Sequence, residues 1–192
     1  MASSLGHSLL ALAADRTVEG PGFCRTWHWI AVVIFCANAA DLDFIPGLIV
    51  GDLNRYHRLA SHSITALIGF SLICTFLAWR CNRQALRIGL WCGLFYATHL
   101  LLDWMSTDTR PPVGIPLLWP FLDHTYSSPF VLALGISHGG TGASTLAALR
   151  DLFSLRNLQV MLMEVMLLGP ILALSLWVRK RRKGGATSGL SD

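Results

Sequence analysis

Apolar runs long enough to cross a bilayer dominate this chain and leave it few possible folds. One begins at Trp27 and continues to Val50, a second covers Ser63 to Trp79, a third Leu86 to Trp104, and a fourth Val160 to Val178. About 20 apolar residues in a helix match the ~30 Å hydrocarbon core. In lipid a segment must satisfy its own backbone groups, which selects helices. With 53% hydrophobic and 14% charged residues over 192, one all-α, polytopic membrane bundle is expected. It has about four transmembrane helices plus a short N-terminal helix over Ser3 to Ala14. Residues 1–178 form a single membrane-embedded domain. Residues 179–192 are a tail, basic and then Gly/Ser-rich, expected to be disordered.

Charge sets the expected orientation. Most of the formal +4 is local, in Arg179-Lys180-Arg181-Arg182-Lys183 directly after the last apolar run. That position marks a positive-inside anchor rather than a nucleic-acid patch, so no nucleic-acid partner is expected. Arg80, Arg83 and Arg87 form a second basic turn, and both basic regions are placed in the cytoplasm. The first and third spans then run outward, and the segment carrying Arg16 and Arg25 lies inside. The apolar "LLALAA" near the start has no Lys or Arg before it and is read as retained rather than cleaved. The five cysteines form no CxxC pair and read as small buried hydrophobes.

This topology brings scattered polar residues to one depth. Asp41 and Asp43 fall at the outer end of the first span, His57, Arg58 and His62 in the following loop, and His99 and Asp103 at the outer end of the third span. His99 and Asp103 stand four apart and share a helix face. Asp41 and Asp43 stand two apart, so a joint role requires the helix to break there, as Pro46 suggests. Singly, these residues read as a helix-bundle hydrogen bond, an acidic helix end, a cap beside Ser61 and Ser63, and a loop histidine. Ionisable groups at membrane depth are costly and together mark a site. Imidazoles with carboxylates suit one or two divalent cations, Zn²⁺ or Mn²⁺ before others. Such an ion offers Lewis-acid activation of water. Arg58 suits a phosphate or other anionic group.

The stretches "GHSLL", "ADLDF", "HRLASHS", "THLLLD" and "GIPLLWP" resemble, in order and spacing, the motifs of the inner-membrane metal-dependent hydrolases, also described as LexA-binding. The resemblance covers roughly residues 6 to 121. It implies a metal set of His7, Asp41, Asp43, His62, His99 and Asp103, with His57 and Arg58 as supporting or substrate groups. Ser63 matches as well, as do Thr107, Gly114, Pro116, Trp119 and Pro120 in a loop expected to cover the site. Ala40 stands where the family has proline, and Leu59-Ala60-Ser61 replaces Gly-x-Thr. The loop after Asp103, with Asp108, is longer than the family pattern. Membership also implies a multi-pass protein of the bacterial inner membrane. For His7 to reach the site, the N-terminal helix must start near the outer face and lead inward.

The resulting expectation is a metal-dependent hydrolase acting on an ester or phosphoester, with a lipid or lipid-linked substrate. Asp43 or Asp103 serves as proton acceptor. Two alternatives remain: a metal-free lipid phosphatase using His99 and Asp103, and a non-enzymatic metal-binding transporter or scaffold. Against the first, Pro-Ser-Gly-His is absent; against the second, no inverted repeat appears. His28 reads as an interfacial anchor, and His124 and His138 are left outside the set. "SHGGTGAS" lacks the Lys of a phosphate loop and reads as a connection. Glu164 is a lone acid within the last span.

Overall fold

In this computed structural model, residues 1–17, 27–81, 84–107, 113–139 and 144–188 are described, with side chains as far as 182. Their regular structure is helical: α1 (Ser4–Thr17), α2 (Trp27–Asn38), α3 (Phe44–Ile49), α4 (Ile64–Trp79), α5 (Ala85–Trp104), α6 (Thr145–Leu152) and α7 (Leu155–Ser188). Two 3₁₀ turns, Ala39–Asp43 and Ala60–His62, sit where the chain must aim polar side chains inward. Among the described residues β pairing is limited to isolated bridges, Ser106 with Ala133 and Ile115 with Tyr126.

Three segments are long and apolar enough to cross a membrane: Trp27–Ile49, Ala85–Trp104 and Leu155–Arg182. These match three of the about four expected spans. The fourth candidate, α4, has 16 residues, about 24 Å of helix against a core of ~30 Å. The apolar stretch Phe130 to Gly135 is not helical, and Leu132 N–H donates to the Met105 carbonyl (2.8 Å). One boundary also moves. α7 continues through the basic run to Ser188, past the predicted end of the span at Val178, and carries Pro170 inside it. Residues 189–192 of the expected tail lie outside the described residues, as do Arg25, Arg83, Asp108 and the Gly-rich centre of 140–143.

α5 is the central helix. It packs against α1, α2 and α4, and its apolar face meets Ala11, Trp29, Val33 and Cys36 in one buried cluster with Trp91, Cys92 and Phe95. Its contact with α4 depends on Gly89 and Gly93, spaced as in small-residue membrane helix pairs. Ser71 Oγ donates to the Gly89 carbonyl (2.9 Å). A Cβ on Gly89 would fall on Thr75 Oγ1 and 2.8 Å from the Ser71 carbonyl oxygen, and one on Gly93 would lie 3.0 Å from Ser71 Cβ.

α1 is not a surface appendage. It lies against α7, α2 and α5 and buries His7, Ala11 and Asp15. Trp29 Nε1–H donates to Asp15 Oδ1 (2.8 Å), and Asn38 Nδ2–H donates to Ser8 Oγ (3.0 Å). The helix starts beside Asp103 and ends where Arg182 Nη1–H reaches the Thr17 carbonyl (3.5 Å). Its direction is the one that a His7 contribution to the site requires.

Candidate metal centre

Four elements converge at one end of the bundle. α5 presents His99 and Asp103 one turn apart. The 3₁₀ turn at 39–43 presents Asp41, the 3₁₀ turn at 60–62 presents His62, and the first turns of α1 present His7. Exposure is 0% for His7, His62 and His99 and 1% for Asp103, so the centre is shut off from bulk solvent. Only Asp41 among these keeps an exposed edge, at 12% of its side chain.

The ring nitrogens face one another. His62 Nε2 and His99 Nε2 are 3.3 Å apart. Asp41 Oδ1 lies 3.7 Å from the first and 3.5 Å from the second. Asp103 Oδ2 lies 3.4 Å from the first and 3.6 Å from the second. The atoms thus form two triangles sharing the His62–His99 edge. Around a tetrahedral ion with bonds of about 2.0–2.2 Å, neighbouring ligands are about 3.3–3.6 Å apart. Neither Asp41 Oδ1 nor Asp103 Oδ2 has a hydrogen-bond partner, although both are buried. Orphaned buried acceptors are rare and call for a counter-charge. The donor set, its spacing and its unmet acceptors fit a divalent cation.

The histidines are aimed from behind. His99 Nδ1 meets the Ala37 carbonyl at 2.7 Å. A carbonyl can only accept, so Nδ1 carries the proton and the Nε2 lone pair points inward. His62 Nδ1 faces Ser61 Oγ (3.0 Å) and Asp43 Oδ2 (3.4 Å). A carboxylate behind a metal-binding imidazole is a recurrent arrangement that fixes its tautomer. Burial opposes a charge on His62, but Asp103 and Asp43 outweigh it and push the imidazole up to about 9.

Asp43, expected among the ligands, stands behind His62 instead. Its Oδ1 takes His57 Nδ1 (2.8 Å), and its Oδ2 takes the Arg58 amide (3.1 Å) and Ser61 Oγ (2.5 Å). In a 3₁₀ helix successive residues turn by about 120°, so Asp41 and Asp43 point apart. His57 uses its other nitrogen on Met1 Sδ (2.7 Å). Burial holds His57 down to about 4 despite the Asp43 hydrogen bond. Arg58 is buried beside it, with the left-handed backbone φ of 61° that few non-glycine residues adopt.

His7 stacks on His99 with ring centroids 3.7 Å apart. Its Nε2 is 3.4 Å from Asp103 Oδ1, and His7, Asp41 and His99 offer ligand atoms within 4.8 Å of one another. Ser63 caps α4, accepting the Ala66 amide (3.1 Å). The loop after α5 braces the same corner: the Ile64 amide donates to the Leu117 carbonyl (2.9 Å) and Thr65 Oγ1–H to the Trp119 carbonyl (2.8 Å).

His138, left aside in the sequence, packs near His57 with centroids 5.4 Å apart and pairs with the Asn54 side chain at 2.6 Å. Burial, then the neighbouring His57, holds it down to about 3. His28 stacks on Trp27, and His124 is exposed. Ser61 and Tyr96, whose hydroxyl donates to the Ser61 carbonyl (2.5 Å), had no signal of their own beyond their neighbours.

Helices fit to cross a membrane, around a sealed cluster of histidines and aspartates able to hold a metal ion, define a polytopic membrane protein with a candidate metal centre. The family model described as YdjM inner membrane protein matches residues 1–182, and the chain belongs to that family. No curated protein and no solved structure matches it.

Proposed function

We propose that this inner-membrane protein is a metal-dependent hydrolase acting on an ester or phosphoester, with a lipid or lipid-linked substrate. The observation that carries the reading is the pair of buried, unpartnered carboxylate oxygens set 3.4–3.7 Å from two inward-facing imidazole nitrogens. His62, His99, Asp41 and Asp103 are the proposed ligands, with His7 as a further one. A divalent ion held by them would supply Lewis-acid activation of water near neutral pH.

The remaining residues orient and hold. Asp43 and Ser61 fix the His62 ring, and Ala37 fixes that of His99. Asp41, the ligand with an exposed edge, marks the side from which a substrate arrives. Arg58, buried beside His57, is the proposed contact for an anionic ester group, which suits a guanidinium. Asp43, its oxygens taken by His57, the Arg58 amide and Ser61, holds the His57 ring and the turn behind His62. We further propose that α4 inserts as a fourth, short span. Arg80, Arg87 and the basic end of α7 then face the cytoplasm, which puts the centre at the outer face.

The test is metal content of the detergent-purified protein by mass spectrometry, followed by turnover of phosphoester and lipid-ester substrates. We expect about one or two equivalents in wild type, lost in His99→Ala and Asp41→Ala. A wild-type protein that takes up neither Zn²⁺ nor Mn²⁺ removes the mechanism.

A further inference from the structure

We propose that Glu164 is a positioning residue for the metal centre: it holds the first turn of α1 so that His7 and the Ala2 amide meet Asp103. The inference rests on the metal reading above. Glu164 lies in the middle of an apolar span yet is only 1% exposed. An acid at that depth is costly and persists where it has a task.

Its carboxylate accepts the Ser3 amide (2.8 Å) with Oε1 and the Ser3 hydroxyl with Oε2. Ser3 Oγ in turn accepts the Gly6 amide (3.1 Å), which caps α1 by the usual side-chain route. The negative group also sits at the positive end of the α1 dipole. Gly6 lets the carboxylate lie flat on the helix, since a Cβ there would be 2.8 Å from Glu164 Oε2.

The neighbouring residues show what the grip aligns. One residue before Ser3, the Ala2 amide donates to Asp103 Oδ1 (2.9 Å). One turn after it, the His7 amide donates to the Ser3 carbonyl (3.0 Å), and the His7 ring stacks on His99. One carboxylate on α7 therefore sets both the His7 ring and the backbone group that orients Asp103. It touches neither the ligand atoms nor the space between them, and it acts through α1.

The experiment measures Zn²⁺ affinity of the full chain in detergent, by competition with a chromophoric chelator after stripping. It compares wild type, Glu164→Gln, Glu164→Leu, His7→Ala and the His7→Ala/Glu164→Leu double variant. Loss of a group that orients a metal ligand weakens affinity about tenfold or more, and that loss is expected for Glu164→Leu. Glu164→Gln keeps an acceptor for the Ser3 amide and is expected to lose less. In the His7→Ala background, Glu164→Leu should cost a clearly smaller factor than in wild type, because the His7 part of its effect is already gone and only the Asp103 part remains. Unchanged affinity in Glu164→Leu overturns the proposal, as does the same factor lost with and without His7, which would mean general loosening. If Glu164→Leu does not fold, Ser3→Ala takes its place in the cycle. A wild type that binds no Zn²⁺ sinks the metal reading and this inference together, whereas binding indifferent to residue 164 sinks this inference alone.

Discussion

Gly89 lies about 15 Å along α5 from His99 by helical rise, yet its replacement by alanine should reach the centre. The new methyl would fall on Thr75 Oγ1 and 2.8 Å from the Ser71 carbonyl oxygen. Thr75 cannot simply rotate away, because it is β-branched and its hydroxyl is engaged by the Ser71 carbonyl (2.8 Å). The Ser71 carbonyl is backbone, so α4 itself must retreat by about half an ångström to restore van der Waals contact, an overpacking cost of about 1–3 kcal/mol. α4 is continuous with the turn carrying His62, while His99 rides on α5. Their nitrogens are 3.3 Å apart, so a displacement of that size opens one edge of the site. We expect Gly89→Ala to lower Zn²⁺ affinity about tenfold, as loss of ligand alignment does, and to lower the melting temperature in detergent. Thr75→Ala removes the first obstruction, and the double variant should recover part of both losses. Wild-type affinity and stability in Gly89→Ala would show that α4 and α5 do not set the His62–His99 spacing.

Other consequences are as direct. Asp43→Asn should weaken Zn²⁺ binding by about 10- to 100-fold without abolishing it, read by the same competition assay; complete loss would make Asp43 a ligand. His57 is neutral in the fold and held down to about 4, so the unfolded chain binds the extra proton. Its stabilisation is present above the ordinary histidine value of about 6.5 and is lost as pH falls towards 4, about 2 kcal/mol between pH 7 and 5. Melting scans across that window should show a smaller acid loss in His57→Gln than in wild type. Reloading the stripped protein with Zn²⁺ at a hundredfold over its dissociation constant should add about 2.7 kcal/mol. That corresponds to a rise of roughly 5–10 °C in melting temperature, absent in His99→Ala.

The polar constellation was legible in the sequence because lipid makes every ionisable residue conspicuous. Asp41, His62, His99 and Asp103 stand out against apolar neighbours, and helical spacing alone puts the last two on one face. The direction of α1 was legible too, as a condition on His7. Less legible was which of two aspartates in "DLD" faces inward, since that depends on the change to 3₁₀ winding at Ala39. The partner of Glu164 was invisible because it is a backbone amide and a serine at the far end of the chain. The spacing of Gly89 and Gly93 was readable, but only the packing of α4 gives it a meaning. Composition marked all the apolar runs alike, and the length of each helix emerges only in the fold: α4, apolar throughout, has 16 residues.

The grip of Glu164 on Ser3 joins residues 161 apart in sequence, and this imposes an order on assembly in the membrane. α1 precedes α7 in synthesis, and although it also packs on α2 and α5, the carboxylate that grips its first turn arrives only with α7. Until then the first turn of α1 lacks that anchor, and the His7 ring rests on its stack with His99. Anchoring of the first turn of α1 is therefore a late event, coupled to addition of the last helix. A chain stopped before α7 would carry all five cluster residues, His7, Asp41, His62, His99 and Asp103, and still lack the Glu164 anchor.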